Sequence, residues 1–134
     1  MTRQNLSGSS PYEPIIGFSR AVRVGDHVYV SGTGPVGADD ADVETQTRQI
    51  FKIAGEVLTR AGSSLDQVVR TRMYLTRDYD WEVVGRVHGE VFANVLPAAT
   101  MVVVAQLLNP KWRVEIELDA VILPAAIPPS AEGQ

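Results

Sequence analysis

A chain of 134 residues, 45% apolar and 21% charged, suits one soluble domain with a buried core. Its net charge of -4 and pI near 5.1 argue against a nucleic-acid partner, which calls for a basic surface. The absence of cysteine excludes disulfides, thiolate nucleophiles and Cys-ligated zinc.

No apolar run approaches the ~20 residues of a membrane span. Residues 1–10 lack the apolar stretch of a signal peptide, so a cytoplasmic location without membrane attachment is expected. His27 and His88 have no metal-type spacing, so a zinc or iron site is not expected.

Residues 1–12, rich in Ser, Gly and Asn, read as a flexible N-terminal segment. Residues 13–123 form the single expected domain, and the Pro-rich residues 124–134 a flexible tail. Residues 18–24 and 27–31 are expected strands. Gly25-Asp26 between them signals a hairpin turn. Residues 32–42 carry three Gly and three Asp and read as a loop.

Ile50, Ile53, Ala54, Val57, Leu58 and Ala61 share one face of a helix over 43–61, with Asp42 as N-cap and Gly62 just past its end. Residues 68–76 form a strand with Val69, Thr71, Met73 and Leu75 on one face and Arg70, Arg72 and Tyr74 on the other. A second helix spans 80–94, capped by Asp80, with Trp81, Val84, Val87, His88, Val91 and Phe92 as its apolar stripe. The apolar run 100–107 looks like a strand covered on both faces. Residues 112–123 alternate cleanly: Val114, Ile116, Leu118 and Ala120 against Glu115, Glu117 and Asp119.

The order β-β-α-β-α-β-β implies an α+β fold, two helices on one face of a mostly antiparallel sheet. The remaining sheet face is expected to carry apolar surface that an oligomer covers. If strands 68–76 and 112–123 are neighbours, their charges form cross-strand pairs. These are either a salt-bridged surface or a polar cleft in which a carboxylate acts on substrate or water. His88 is either a satisfied core residue or a proton shuttle. Arg20 is either a surface residue or a clamp for a carboxylate.

Five segments, AVRVGDHVYVSG (21–32), QTRQI (46–50), AGSSLDQVVRTRMYL (61–75), LPAAT (96–100) and VEIELDA (114–120), together resemble the Rid (YjgF-type) family over residues 18–122. The resemblance implies a chorismate-mutase-like fold and a homotrimer with ligand clefts at its subunit boundaries. It also implies a cofactor-free imine/enamine deaminase that hydrolyses small imino acids to ammonia and keto acids. Residue by residue, Glu115 matches the acid that positions the hydrolytic water, and Gly32 the glycine after the Val-Ser strand end. Phe18 matches an aromatic usually Tyr, Gly85 a frequent Asn, and His88 a frequent Tyr. Pro97-Ala98-Ala99-Thr100 matches a Pro-Ala-Arg-Ser/Thr segment, so Ala99 stands at the carboxylate-binding arginine's place; Met101 matches a residue whose backbone contacts ligand or water.

The expected site is thus Glu115 and His88 for catalysis, with Phe18, Arg20, Gly32, Ala99, Thr100 and Met101 for substrate. The competing expectation is a non-catalytic trimer that binds a metabolite, senses it or acts as a chaperone.

Overall fold

The computed structural model describes residues 1–124. Six strands, β1 (Arg3–Leu6), β2 (Ala21–Val24), β3 (His27–Thr33), β4 (Val68–Leu75), β5 (Ala98–Val103) and β6 (Val114–Val121), form one sheet in the order β1-β2-β3-β6-β4-β5. All neighbours are antiparallel except β4 and β5, which are parallel. Helices α1 (Val43–Arg60) and α2 (Trp81–Phe92) cover one face.

Strand β6 organises the packing. Val114, Ile116 and Leu118 are fully buried and Ala120 nearly so, while Glu115, Glu117 and Asp119 between them are half-buried on the opposite face. Beneath the helices they meet Val28, Val30, Met73 and Leu75 from the flanking strands and Ile50, Leu58, Val84, Val87 and Phe92 from the helices. Fully burying side chains of this size contributes about 1.5–3 kcal/mol each, so this interleaved layer dominates local stability.

Helix α1 begins where Asp42 accepts a hydrogen bond from the Thr45 backbone N–H at 2.8 Å. It ends before Gly62, whose φ of +90° suits the residue just past a helix. Asp80 does not cap α2 with its side chain. It is buried instead and receives Arg113 through two hydrogen bonds, of 3.0 and 2.6 Å. A buried carboxylate is better served by a guanidinium fork than by one backbone N–H.

Other expectations need correcting. Residues 3–6 are not frayed: β1 pairs with β2, and Leu6 is buried. A register shift between Val68 and Arg70 gives β4 an extra residue, so Val68 points inward and Val69 is exposed. Trp81 is exposed rather than part of the α2 stripe. The run 100–107 is not a strand covered on both faces. β5 covers Ala98–Val103, forms the sheet edge, and leaves Val102 and Val103 exposed. Residues 125–134 of the expected tail lie outside the described residues.

The uncovered sheet face also differs from the apolar surface expected. Its centre is polar: Arg72 pairs with Asp119 at 3.3 Å and Glu117 at 3.9 Å, and Tyr74 Oη donates to Glu117 Oε1 at 2.6 Å. Strands β4 and β6 are indeed neighbours, so the cross-strand pairs form as the alternation requires.

The helices are joined on their outer side by Glu44, Arg48, Arg86 and Glu90, an exposed network that water screens. Asp80→Ala should therefore lower the unfolding free energy by about 3 kcal/mol, because it strands the half-buried Arg113. Glu44→Ala should leave the urea midpoint nearly unchanged; equal effects of the two substitutions would contradict this ranking.

Candidate functional site

A second register shift shapes the site. Between Val30 and Thr33, β3 advances three residues while β6 advances two, from Leu118 to Ile116. Ser31 and Gly32 thus share the space opposite Glu117, a bulge that returns Thr33 to the core. The bulge presses Gly32 against Glu115: a Cβ built on Gly32 would lie 2.6 Å from Glu115 Oε2. Only glycine leaves room for the carboxyl there.

Glu115 opens into a cavity of about 540 Å³ whose walls include Phe18, Arg20, Gly32, Trp112 and Glu117. Tyr12, Ile16 and Leu108 add apolar rim. Burial pushes the Glu115 carboxyl above the ordinary glutamate range; the positive charge of Arg20 opposes the rise and Glu117 adds to it. Arg20 is 8% exposed, donates to the Gly32 carbonyl and lies 5.5 Å from the Phe18 ring centre. Its guanidinium is held below the usual arginine value by burial, against the pull of Glu13 and Glu115.

The far wall is fixed by residues that the sequence reading does not single out as a site. Trp112 Nε1 donates to Asp39 Oδ1 at 2.8 Å. Gln46, fully buried on α1, donates to the Asp39 and Lys111 carbonyls and accepts from the Arg113 N–H at 2.9 Å. One amide side chain thereby clamps both loops that carry this wall. A glutamine on the inward face of a helix, among apolar neighbours, was the available signal.

The expected residues fall into two groups. Phe18, Arg20, Gly32 and Glu115 meet in the cavity. Ala99, Thr100 and Met101 lie on β5, separated from β6 by β4. Thr100 stands beside Arg72 on the open face; Ala99 stands beside Thr71, and Met101 packs against the core. His88 belongs to this second group. Its Nε2 shares a 2.8 Å hydrogen bond with Thr71 Oγ1, and its ring joins Phe51 and Phe92 in a three-ring cluster. Burial lowers its pKa, favouring neutral imidazole. Thr71 points to the helices and Glu115 away from them, so within one chain the two expected catalytic residues occupy opposite faces.

Among the described residues no three His, Cys, Asp or Glu side chains are grouped to hold a metal ion, and no helix is long and apolar enough to cross a membrane.

The fold and site define a class: a small α+β protein with two helices on a mixed sheet and a half-buried carboxyl at a β-bulge. The family model described as Endoribonuclease L-PSP matches residues 8–122, and the chain belongs to this Rid (YjgF-type) family. It is 35% identical over 121 residues to an uncharacterized protein of Streptomyces coelicolor, covering 87% of this chain and 90% of that one. It is 34% identical over 127 residues to the 2-iminobutanoate/2-iminopropanoate deaminase of Rattus norvegicus, covering 89% and 90%. The crystal structure of a YjgF/YER057c/UK114 family member from Mycobacterium tuberculosis superposes with a TM-score of 0.84 at 41% identity, over 90% of this chain and 99% of that one.

The raised Glu115 pKa has a testable consequence. The folded state holds the Glu115 proton to higher pH than the unfolded chain, so stability falls as pH rises from the unfolded-state pKa through the folded one. Glu115→Gln removes that loss. Its stability relative to the parent should increase across this window and level off above it, as read by urea titrations at successive pH values; a pH-independent difference would contradict the assignment.

Proposed function

We propose that the chain is a cofactor-free hydrolase of the imine/enamine deaminase type, acting on a small imino or amino-substituted metabolite. The observation that carries this reading is the Glu115 carboxyl, half-buried with a raised pKa, lining a cavity and seated against Gly32 where no side chain displaces it. A carboxyl whose proton affinity burial raises is placed both to accept and to return a proton. In the proposed reaction Glu115 accepts a proton as water adds to the carbon of a protonated imine, giving a carbinolamine. It then returns that proton to the nitrogen. The C–N bond breaks, its electrons leave with ammonia, and loss of the hydroxyl proton completes the carbonyl. Water and imine are consumed, and ammonia and a keto compound are formed.

Similarity to the rat deaminase supports the reading. The family model's name points to RNA cleavage instead, but a net charge of -4 and the acids Glu115 and Glu117 at the cavity disfavour a polyphosphate backbone.

The proposed working form is a homotrimer. The exposed β5 edge with Val102 and Val103, and the uncovered sheet face, support it. In this reading the group Ala99, Thr100 and Met101 of one subunit closes the Glu115 cavity of the next, and His88 braces that strand through Thr71. Light scattering should give about three times 14.6 kDa; a monomer at micromolar concentration would contradict it.

Ammonia release from freshly generated 2-imino acids tests the chemistry. Glu115→Gln should reduce kcat by about 100-fold or more, the usual contribution of a positioned acid–base group. Ala99 favours the second reading, a trimer that binds a metabolite without turning it over, because that position offers no cation. Wild-type release no faster than buffer, together with thermal stabilisation by a ligand that is recovered unchanged, selects this second reading.

A further inference from the structure

Residues 7–20, between β1 and β2, form no strand and only one short helical turn, at Glu13–Gly17. Yet Tyr12, Ile16 and Phe18 from this stretch line the Glu115 cavity. A wall carried on such a segment is only as fixed as whatever ties the segment down. Glu13 is the tie. It is 8% exposed and, among the described residues, enters no ion pair within 4.0 Å. Both of its carboxylate oxygens go to backbone donors instead. The Gly8 N–H is shared between them at 2.9 and 3.2 Å, and the Ser10 N–H reaches Oε2 at 3.2 Å. Charge-assisted bonds of this kind are roughly twice as strong as neutral ones. The Glu13 main chain closes the other end, where its carbonyl accepts from the Phe18 N–H at 3.0 Å. The fit is close. A Cβ on Gly8 would lie 3.0 Å from Glu13 Oε2 and 3.1 Å from Arg20 Cβ and Cδ, so the backbone there runs between the carboxylate and the Arg20 stem.

We infer that Glu13 is a positioning residue of the site, a clasp that folds residues 8–18 into a strap and holds Tyr12, Ile16 and Phe18 as one wall of the Glu115 cavity. The inference rests on the assignment of that cavity as the ligand site. Glu13 is not among the residues that line it. The charges that act on Glu115 are those of Arg20 and Glu117. Releasing the clasp therefore weakens ligand binding and leaves the acid–base step in place.

Amide hydrogen exchange on the full chain, with the kinetics of ammonia release from freshly generated 2-iminobutanoate, tests this. Glu13→Gln offers one acceptor oxygen in place of two and sets an amide NH2 against the backbone donors. Exchange at the Gly8 and Ser10 amides should be at least tenfold faster than in the parent, with Ile116 and Leu118 within twofold. KM should rise at least fivefold with kcat within twofold. Gly8→Val keeps the Glu13 charge near Arg20 but wedges a side chain into the clasp, so it should raise KM in the same way. Parental exchange at Gly8 and Ser10 in Glu13→Gln, a fall in kcat at parental KM, or a parental KM for Gly8→Val overturns the inference. Should Glu13→Gln not fold, Glu13→Asp keeps the charge and shortens the reach; at least threefold faster exchange at both amides is expected, and parental exchange overturns it. A parent that releases no ammonia removes the deaminase reading, and exchange alone then upholds or overturns the clasp. Ammonia release by the parent with parental exchange in Glu13→Gln removes the clasp and leaves the deaminase reading.

Discussion

The strict alternation of β6 is the constraint on which the rest of the structure depends. Four apolar side chains on one face are almost completely buried, and the three acids between them face the other way. A slip of one residue would drive Glu115, Glu117 and Asp119 under the helices, without partners, in exchange for exposing the core. That penalty fixes the registers of β3 and β4, the neighbours on either side. Those registers in turn determine which side chains can reach Glu115.

Within that frame the site is made by a departure from regularity. The bulge at Ser31 and Gly32 keeps Thr33 in the core while bringing a residue without a side chain against the Glu115 carboxyl. Arg20, from the segment entering β2, closes the same corner through the Gly32 carbonyl. The cavity thus brings the Glu115 carboxyl and the Arg20 guanidinium together beside Glu117; burial is the main perturbation of both, Arg20 is next for Glu115, and Glu13 and then Glu115 are next for Arg20.

Much of the fold was legible because its signals are local. The helix faces, the Asp42 cap, the Gly62 terminus and the opposed faces of β6 follow from periodicity and capping chemistry. The pairing of Arg72 with Asp119 and Glu117 followed once β4 and β6 were neighbours. The errors have a common cause. Unbroken alternation along β4 would turn Val69 inward, and the bulge between Val68 and Arg70 turns it out. The apolar composition of the 100–107 run matches a covered strand, but composition does not report position in a sheet, and β5 is an edge. Residues 3–6 looked too polar to be ordered, yet backbone pairing to β2 requires little from side chains.

The sequence by itself determined the family, the α+β class and the acid on β6, because these rest on ordered segments and on the two periodicities of 2 and 3.6 residues. Only the tertiary structure decided which polar residues share a site. It joined Phe18, Arg20, Gly32 and Glu115 across almost 100 positions of chain, and it placed His88 on the other face of the sheet. The physical reason is that a side chain's neighbours depend on strand order and on each bulge's parity. Both are settled by burial summed over the whole sheet, not by any single segment.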